Sequence, residues 1–260
     1  MKRTLIQPDL SLFPEIFHPL LRDCSVYDSS CSADARVYFI AKDGGIYLKS
    51  APAGSLERES LMTSFFHSKG LATEVLTYHP ADRDWLLTRA VPGEDCTFPA
   101  YLEDPKRLSE TLGILLRQLH SIDPADCPIA HTPNYIATAR KNFADGKFDS
   151  SIFPGHWGYD SPERAIQVVE EKHHLLKSDT LLHGDYCLPN VMLKDWNFSG
   201  FIDVGNGGIG DRHVDLFWGI WSLGYNVKSN AYQDRFLDAY GREDVEEEMF
   251  PIIGAFECFG

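Results

Sequence analysis

Polar side chains placed between apolar, strand-like segments are the feature of this sequence that most constrains its fold. The run His183-Gly-Asp-Tyr-Cys-Leu-Pro-Asn190 stands between the apolar segments Leu181-Leu182 and Val191-Met-Leu193, and Asp203 directly follows Phe201-Ile202. A buried acid or amide is costly unless it has partners. The chain is therefore predicted to place these polar groups at strand ends beside its core.

Asp185, Asn190 and Asp203 supply groups that phosphoryl transfer requires. That reaction needs hard oxygen ligands for Mg²⁺, a carboxylate that orients the attacking hydroxyl, and positive charge on the phosphates. Asp185 is predicted to accept or orient the hydroxyl proton, and Asn190 and Asp203 to bind the magnesium that bridges the triphosphate. Either Asp185 or Asn190 alone would fit a turn cap equally well. The ordered set favours a kinase site.

Three neighbouring polar residues are predicted to support this loop. The His183 ring would brace the loop without exchanging protons. Asp215 stands four residues after Asp211, one turn of a helix, so both side chains are expected to face the same way. We predict that they brace the catalytic loop through hydrogen bonds and take no direct part in catalysis.

A cationic group is predicted upstream, on a hairpin whose strands span 36–41 and 46–49 around an Asp-Gly turn. Because side chains alternate along a strand, Tyr47 and Lys49 share one face. Lys49 would point its ammonium at the α- and β-phosphates, as a strand lysine held by a helix carboxylate does. Tyr47 would either stack on the purine ring or be an ordinary aromatic on the sheet surface.

The carboxylate that holds Lys49 is predicted on a helix over 56–69, which Gly70 ends. Glu59 is the expected partner, and Glu57 competes for the same role.

Other patterns predict the remaining elements. A strand is expected over 84–91, one helix is expected to end near His120, and another is expected to begin at Ser161. Only loops and short turns are expected over 127–160, and helices are expected over 211–223, 230–240 and 243–257.

Composition excludes several classes of partner. The formal net charge of −14 argues against nucleic acid, which needs clustered Lys and Arg. No apolar run approaches the length of an export signal or a membrane span, so a cytoplasmic protein without membrane partners is expected. The six cysteines form no Cys-x-x-Cys pair and are expected to be reduced thiols.

Over nearly its whole length the sequence resembles the aminoglycoside phosphotransferase family, and within it the 3′-phosphotransferase (kanamycin kinase) branch. The similarity is densest in Leu182–Asn190, Ser199–Gly205 and Gly210–Asp215, and around Lys49 and Glu59. The resemblance implies an α+β, bilobal protein-kinase-like fold, with a small N-terminal antiparallel-sheet lobe and a larger, mostly helical C-terminal lobe. We predict the lobes at 1–91 and 100–260, with a hinge at 92–99.

The resemblance also implies ATP or GTP with Mg²⁺ as cofactors and a cationic aminoglycoside as the hydroxyl acceptor. It implies Asp185 as the catalytic base, Asn190 and Asp203 as magnesium ligands, and Lys49 with Glu59 for phosphate positioning. It places the nucleotide base near Tyr47 and the segment Arg89-Ala-Val91, and a serine such as Ser32 over the phosphates. On the acceptor side it implies contacts from Asp160 and Glu257.

The acceptor side departs from the family pattern. Asn206 and Trp221 stand where relatives usually have Arg, and Gly158-Tyr159 follows Trp157 where relatives can have two acids. Two alternatives therefore stay open: a kinase of the same fold that acts on another small hydroxyl compound, such as a sugar, an amino alcohol or another antibiotic, and a nucleotide-binding protein without turnover. The complete set of kinase residues argues against the second.

Overall fold

The computed structural model describes residues 3–31, 35–151 and 157–260. The chain divides into two compact units. Unit 1 consists of Met1–Asp95 with Val191–Gly205, and unit 2 consists of Cys96–Asn190 with Asn206–Gly260. Asn190 is thus the last residue of unit 2 before the chain enters the second segment of unit 1, and Asp203 lies close to the end of that segment. Ser32 lies outside the described residues.

Within the described residues, six strands of unit 1 form an antiparallel sheet. Its order is β1-β2-β3-β4-β6-β5, with strands at β1 (Thr4–Ile6), β2 (Val26–Asp28), β3 (Arg36–Ile40), β4 (Ile46–Pro52), β5 (Val75–Pro80) and β6 (Arg83–Arg89). Strand β4 alternates as predicted: Ile46 and Leu48 are buried, whereas Tyr47 and Lys49 are partly exposed. The buried side packs on an aromatic core that includes Phe13, Phe17 and Trp85.

Helix α2 (Glu57–Ser68) follows this hairpin, as predicted. Its first backbone N–H groups need an acceptor, and the Asp84 carboxylate accepts from the Leu56 N–H at 2.9 Å. Beyond the helix, Gly70 takes a φ of 73°, which suits a left-handed cap. The sheet thereby fixes where α2 begins, and with it the position of Glu59.

A second sheet of unit 1 ties the later segment to the N-terminal part of the chain. It contains β7 (Glu94–Asp95), β9 (Val191–Lys194) and β10 (Asn197–Phe201), in the order β10-β9-β7. Gly93 permits this pairing, because a Cβ at that position would lie 2.2 Å from the Leu193 carbonyl oxygen. Asp203 therefore belongs to the same unit as Lys49 and Glu59.

Unit 2 is mostly helical and carries one small pair of strands, β8 (Thr180–Leu182) and β11 (Gly208–Gly210). The helix predicted to end near His120 is present as α4 (Pro105–His120), and the leucines that form a stripe along one face of it are buried. The helices of this unit are α3 (Pro99–Leu102), α4 (Pro105–His120), α5 (His131–Ala144), α6 (Pro162–Lys172), α7 (His213–Val227), α8 (Gln233–Tyr240) and α9 (Met249–Glu257); α1 (His18–Arg22) belongs to unit 1. None of the described helices is both long and apolar enough to cross a bilayer.

Most of the element predictions are confirmed, and one is wrong. The region 127–160, predicted to hold only loops and short turns, contains α5. This helix buries only His131, Thr132 and Ala139, so it lacks the apolar stripe from which a helix is read. The last helix also begins later than predicted, because Arg242–Asp244 forms a 3₁₀ turn that ends in extended backbone.

Candidate active site

In unit 1, Lys49 holds two carboxylates at once. Its Nζ lies 2.7 Å from Glu59 Oε2 and 3.0 Å from Asp203 Oδ1. The predicted pairing with Glu59 is therefore present, and Glu57 is not the partner in this pair. The contact with Asp203 joins the predicted phosphate-binding lysine to a predicted magnesium ligand, a pairing that the sequence analysis did not anticipate.

Backbone geometry explains how Asp203 reaches Lys49. Asp203 has a φ of 57°, in the left-handed region that Asp tolerates better than most residues. Gly205 then passes close to α2, since a Cβ on it would lie 3.1 Å from the Glu59 Cβ. Such strained backbone at a non-glycine residue is typical of functional sites. The turn after β10 thus turns the Asp203 carboxylate toward Lys49.

Charge balance keeps Lys49 protonated. Burial alone would lower the pKa of Lys49, but the charges of Asp203 and Glu59 outweigh it and raise the pKa above the usual value. Burial raises the pKa of Glu59, which the nearby Lys49 ammonium opposes. Side-chain exposure is 14% for Glu59 and 52% for Asp203. Glu59 is therefore the buried partner of Lys49, and Asp203 is the partner whose carboxylate is accessible.

In unit 2, Asp185 and Asn190 form the centre of a tight loop. Asn190 Nδ2 donates to Asp185 Oδ2 at 2.8 Å and to the Asp185 carbonyl oxygen at 3.0 Å. The Cys187 N–H also donates to that carbonyl, at 2.7 Å. Gly184 is required next to Asp185, because its φ is 83° and a Cβ there would lie 2.2 Å from the Asn206 carbonyl oxygen.

Asp215 braces this loop through hydrogen bonds, as predicted. Its Oδ2 accepts from the His183 N–H at 2.7 Å and its Oδ1 from the Gly184 N–H at 2.8 Å. The Asp185 N–H in turn donates to His183 Nδ1 at 3.3 Å. Burial alone would raise the pKa of Asp215, but hydrogen bonds from His120 and His183 hold it below the usual value. The carboxylate is thus buried, ionised and saturated with donors.

A buried chain of hydrogen bonds continues from Asp215 to α8. His120 Nε2 lies 3.1 Å from Asp215 Oδ2, and His120 Nδ1 lies 2.9 Å from the Tyr240 hydroxyl. Burial lowers the pKa of His120 and raises that of Tyr240 to about 12. We assign the His120 proton to Nε2, because an ionised carboxylate only accepts, and Tyr240 then donates to Nδ1.

Asp211 does not brace the loop with Asp215, contrary to the prediction. It lies before α7 begins, so the two acids are not one helical turn apart on a common helix. Its carboxylate accepts from the Lys177 N–H at 2.7 Å and bonds to His213 Nδ1 at 2.7 Å. Asp211 thus fixes the start of α7, which carries Asp215.

The proposed magnesium ligands have suitable chemistry. Both Asn190 N–H bonds go to Asp185, which leaves the Asn190 Oδ1 as the amide's ligand atom. Lys49 contacts Asp203 through Oδ1, which leaves Oδ2. Hard oxygen donors of this kind suit Mg²⁺, which takes one or two protein ligands together with substrate phosphates. Among the described residues, no group of three or more His, Cys, Asp or Glu side chains forms a separate metal site.

Residues predicted beside the nucleotide have varied surroundings. The Tyr47 hydroxyl accepts from Arg3 Nη2 at 2.8 Å, and its ring packs on Phe39 with centroids 5.3 Å apart. Arg89 is exposed and pairs with Glu74 at 2.9 Å. Val91 is buried. The ring of Tyr47 lies on the same strand face as Lys49, as predicted.

The two predicted acceptor acids differ sharply. Asp160 is 80% exposed and lies 3.9 Å from Arg164 at the start of α6. Glu257 ends α9, and its Oε1 accepts from the Tyr135 hydroxyl at 2.6 Å. Burial raises the pKa of Glu257 to about 7, although hydrogen bonds from Tyr135 and Trp218 lower it.

Tyr135 and Trp218 both donate to Glu257, the predicted acceptor contact, and the sequence analysis missed both. Tyr135 lies on α5, the helix absent from the prediction, and its ring stacks on Phe256 with centroids 4.6 Å apart. Trp218 lies on α7 three residues after Asp215. The one sequence signal for Trp218 is its spacing, since it stands three residues after Asp215 and therefore close to it on the predicted helix.

Comparisons with known proteins show the family to which the chain belongs. The model of the phosphotransferase enzyme family (APH) matches residues 30–251. A probable aminoglycoside 3′-phosphotransferase of Lactococcus lactis subsp. lactis (strain IL1403) is 42% identical over 254 residues, which cover 97% of each chain.

Solved structures share the fold at lower identity. An aminoglycoside 3′-phosphotransferase of type VIII matches with a TM-score of 0.75 and 24% identity, over 95% of this chain and 100% of that one. An aminoglycoside phosphotransferase of Streptomyces rimosus, solved with ADP and streptomycin, matches with a TM-score of 0.70 and 22% identity, over 88% and 92% of the two chains. The predicted α+β fold of the kinase-like phosphotransferases is confirmed.

Proposed function

This chain belongs to the phosphotransferase enzyme family, and from that membership we propose that it transfers the γ-phosphate of ATP or GTP to a hydroxyl group of an aminoglycoside. The similarity to the probable aminoglycoside 3′-phosphotransferase, which extends over nearly the full length of both chains, carries this proposal. The product would gain negative charge, which weakens binding of a cationic drug to RNA and so gives resistance.

We propose Asp185 as the base that orients the acceptor hydroxyl and takes its proton. Asn190 supports this role, because its amide group fixes one carboxylate oxygen and so sets the direction of the other. The brace from Asp215 to His183 and Gly184 keeps the loop rigid. Such preorganisation is how a phosphotransferase accelerates a reaction that needs little covalent chemistry.

Asn190 and Asp203 would hold the magnesium ion, which supplies charge neutralisation at the triphosphate when bound. Lys49, anchored by Glu59, would place its ammonium on the phosphates. Tyr47, Arg89 and Val91 are proposed beside the nucleotide base, and Ser32 over the phosphates. Asp160 and Glu257 are proposed as contacts for the ammonium groups of the acceptor.

We propose that the reaction takes place in the cytoplasm, which the six free cysteine thiols support. We also propose the functional lobes at 1–91 and 100–260, with a hinge at 92–99. The boundary of the compact units between Asp95 and Cys96 falls inside that hinge and supports it. The segment 191–205 adds Asp203 to the N-terminal unit.

The function is tested by incubating the protein with Mg-ATP and with Mg-GTP against aminoglycosides, sugars and amino alcohols, with release of the nucleoside diphosphate as readout. We expect acceptor-dependent turnover with aminoglycosides and none without an acceptor. Turnover with sugars or amino alcohols alone would favour the second kinase hypothesis. Nucleotide binding without turnover on any acceptor would favour a silent nucleotide-binding protein.

Replacing Lys49 by Met is expected to lower kcat/KM for the nucleotide about 100-fold. The change removes the phosphate-facing cation and leaves Glu59 and Asp203 without their shared partner. The measurement is nucleotide kinetics at saturating acceptor, together with the thermal midpoint. Lys42→Met, at the exposed turn before β4, is the control. Equal kinetics for the two variants would contradict the role of Lys49.

Acceptor affinity is expected to depend on pH through Glu257. With a pKa of about 7, the carboxyl is neutral below that pH and loses its attraction for an ammonium group. We expect acceptor KM to rise about tenfold between pH 8 and pH 6, and Glu257→Gln to remove most of that change. Glu163→Gln, an exposed acid on α6, should keep the wild-type profile. The same profile in Glu257→Gln would show that titration of the acceptor alone causes it.

A further inference from the structure

Three aromatic side chains form a ladder along one side of α7: Trp218, Trp221 and Tyr225. Their spacing of three and four residues places them on one helix face. The Trp218 and Trp221 centroids are 5.4 Å apart at 84°, and the Trp221 and Tyr225 rings stack at 5.1 Å and 11°. Trp218 and Trp221 are partly exposed and Tyr225 is 59% exposed.

The ladder lies outside the fully buried side of α7. The buried side of α7 consists of other residues, among them Phe217, Ile220 and Leu223. Contiguous apolar surface of this kind on the accessible side of a helix is typical of binding sites, whereas single exposed apolar residues are not. The ladder is therefore a candidate binding surface.

The inner end of the ladder meets the proposed acceptor acid. The Trp218 indole is a donor only, and it donates a hydrogen bond to the Glu257 carboxylate. The Tyr135 hydroxyl also donates to this carboxylate, at 2.6 Å from Oε1. The charge of Asp185 also acts on Glu257, so the carboxyl group lies within electrostatic reach of the proposed base. The ladder thus begins beside the groups proposed to receive the acceptor.

The outer end shows what chemistry the rings accept. The Lys228 ammonium lies 4.1 Å from the Tyr225 ring centroid, a cation–π contact. An amino sugar offers an ammonium group as well, and in addition a flat face of C–H bonds that packs on an aromatic ring. An acyclic polyamine offers the ammonium groups alone.

We propose that the Trp218–Trp221–Tyr225 ladder is the platform on which a sugar ring of the acceptor stacks while Glu257 receives one of its ammonium groups. The proposal rests on the proposed function and adds the selection of cyclic amino sugars over acyclic polyamines. The Glu257 carboxylate selects a cationic acceptor, and the aromatic ring faces select an acceptor that contains a sugar ring.

The test compares Trp221→Leu, Trp221→Phe and the control Ile114→Ala, which removes apolar surface that is 48% exposed on α4. Kanamycin is the cyclic probe and spermine the acyclic one. Kinetics give acceptor KM, kcat and nucleotide KM, and calorimetry gives the affinity of each probe. Trp221→Leu is expected to raise the KM and Kd for kanamycin about tenfold, with kcat and nucleotide KM within about twofold and spermine affinity lowered by no more than about threefold, because spermine loses only a cation–π contact. Trp221→Phe should restore most of the kanamycin affinity.

Each outcome decides the proposal. Equal kanamycin affinity in Trp221→Leu and Ile114→Ala overturns it, and so does an equal loss of spermine and kanamycin affinity. Kanamycin binding that depends on Trp221 without turnover in the wild type keeps the ladder and rejects the proposed function. Turnover that is insensitive to Trp221→Leu keeps the proposed function and rejects the ladder. A wild type that neither binds nor phosphorylates kanamycin rejects both.

Discussion

Asp185→Asn is expected to lower kcat about 1,000-fold, with nucleotide KM within about threefold of the wild type. The amide has nearly the same shape as the carboxylate and keeps an oxygen to accept from Asn190 Nδ2. It has no basic oxygen that takes a proton at neutral pH. The loss should therefore appear in the chemical step, and the fold should remain intact.

The measurement is steady-state turnover on an aminoglycoside, with the thermal midpoint as a check on folding. Asp126→Asn, an exposed acid in the loop before α5, should keep wild-type turnover. A wild-type kcat in Asp185→Asn would remove Asp185 from catalysis. Asp185→Asn should retain nucleotide binding, whereas Asp203→Ala should bind nucleotide more weakly. This pair of results would distinguish the role of the base from that of the metal ligand.

Asp215→Ala is expected to lower the free energy of unfolding by about 3–5 kcal/mol, because it leaves buried donors without their acceptor. The N–H groups of His183 and Gly184 lose both carboxylate oxygens, and His120 loses its partner. The side chain is fully buried, so water does not replace these bonds. Activity should fall as well, because the loop that carries Asp185 loses its brace.

Acid should reveal the same contribution in the wild type. The folded-state pKa of Asp215 lies below the ordinary value of 3.8. Its stabilisation is therefore complete above about pH 5, and it is lost as the pH falls through 3.8 and then through the lower folded-state value. Urea unfolding between pH 7 and pH 3 gives the free energy of unfolding of the wild type and of Asp215→Ala. The difference between the two free energies should become smaller as the pH falls. A constant gap would mean that the carboxylate charge contributes nothing.

Asp234→Ala provides the comparison for both measurements, since Asp234 is 86% exposed in its pair with Arg242. An exposed ion pair contributes little, so its stability should stay within about 1 kcal/mol of the wild type. If Asp215→Ala loses no more than Asp234→Ala, the brace does not stabilise the loop.

Patterns of short range were predictable from the sequence. The hairpin that presents Lys49, the leucine stripe of α4 and the cap at Ser161 each depend on neighbours a few residues away. The ordered run from His183 to Asn190 also specified its own loop, because Gly184 and the bonds from Asn190 to Asp185 are local. Helix α5 escaped prediction because its buried face carries polar and small residues, so its stability comes from the surfaces around it.

The sequence by itself determined which residue types are present, their order, and the strand and helix faces on which Lys49 and Glu59 stand. Only the tertiary structure decided between Glu59 and Glu57 as the partner of Lys49 and added Asp203 as a second one. It also decided that Asp215 but not Asp211 braces the loop, and that Glu257 is held by Tyr135 and Trp218. The physical reason is the distance along the chain over which each effect acts. Periodicity and capping act over one or two turns, whereas the partner of a charged side chain is set by segments distant in sequence that burial brings within hydrogen-bond distance.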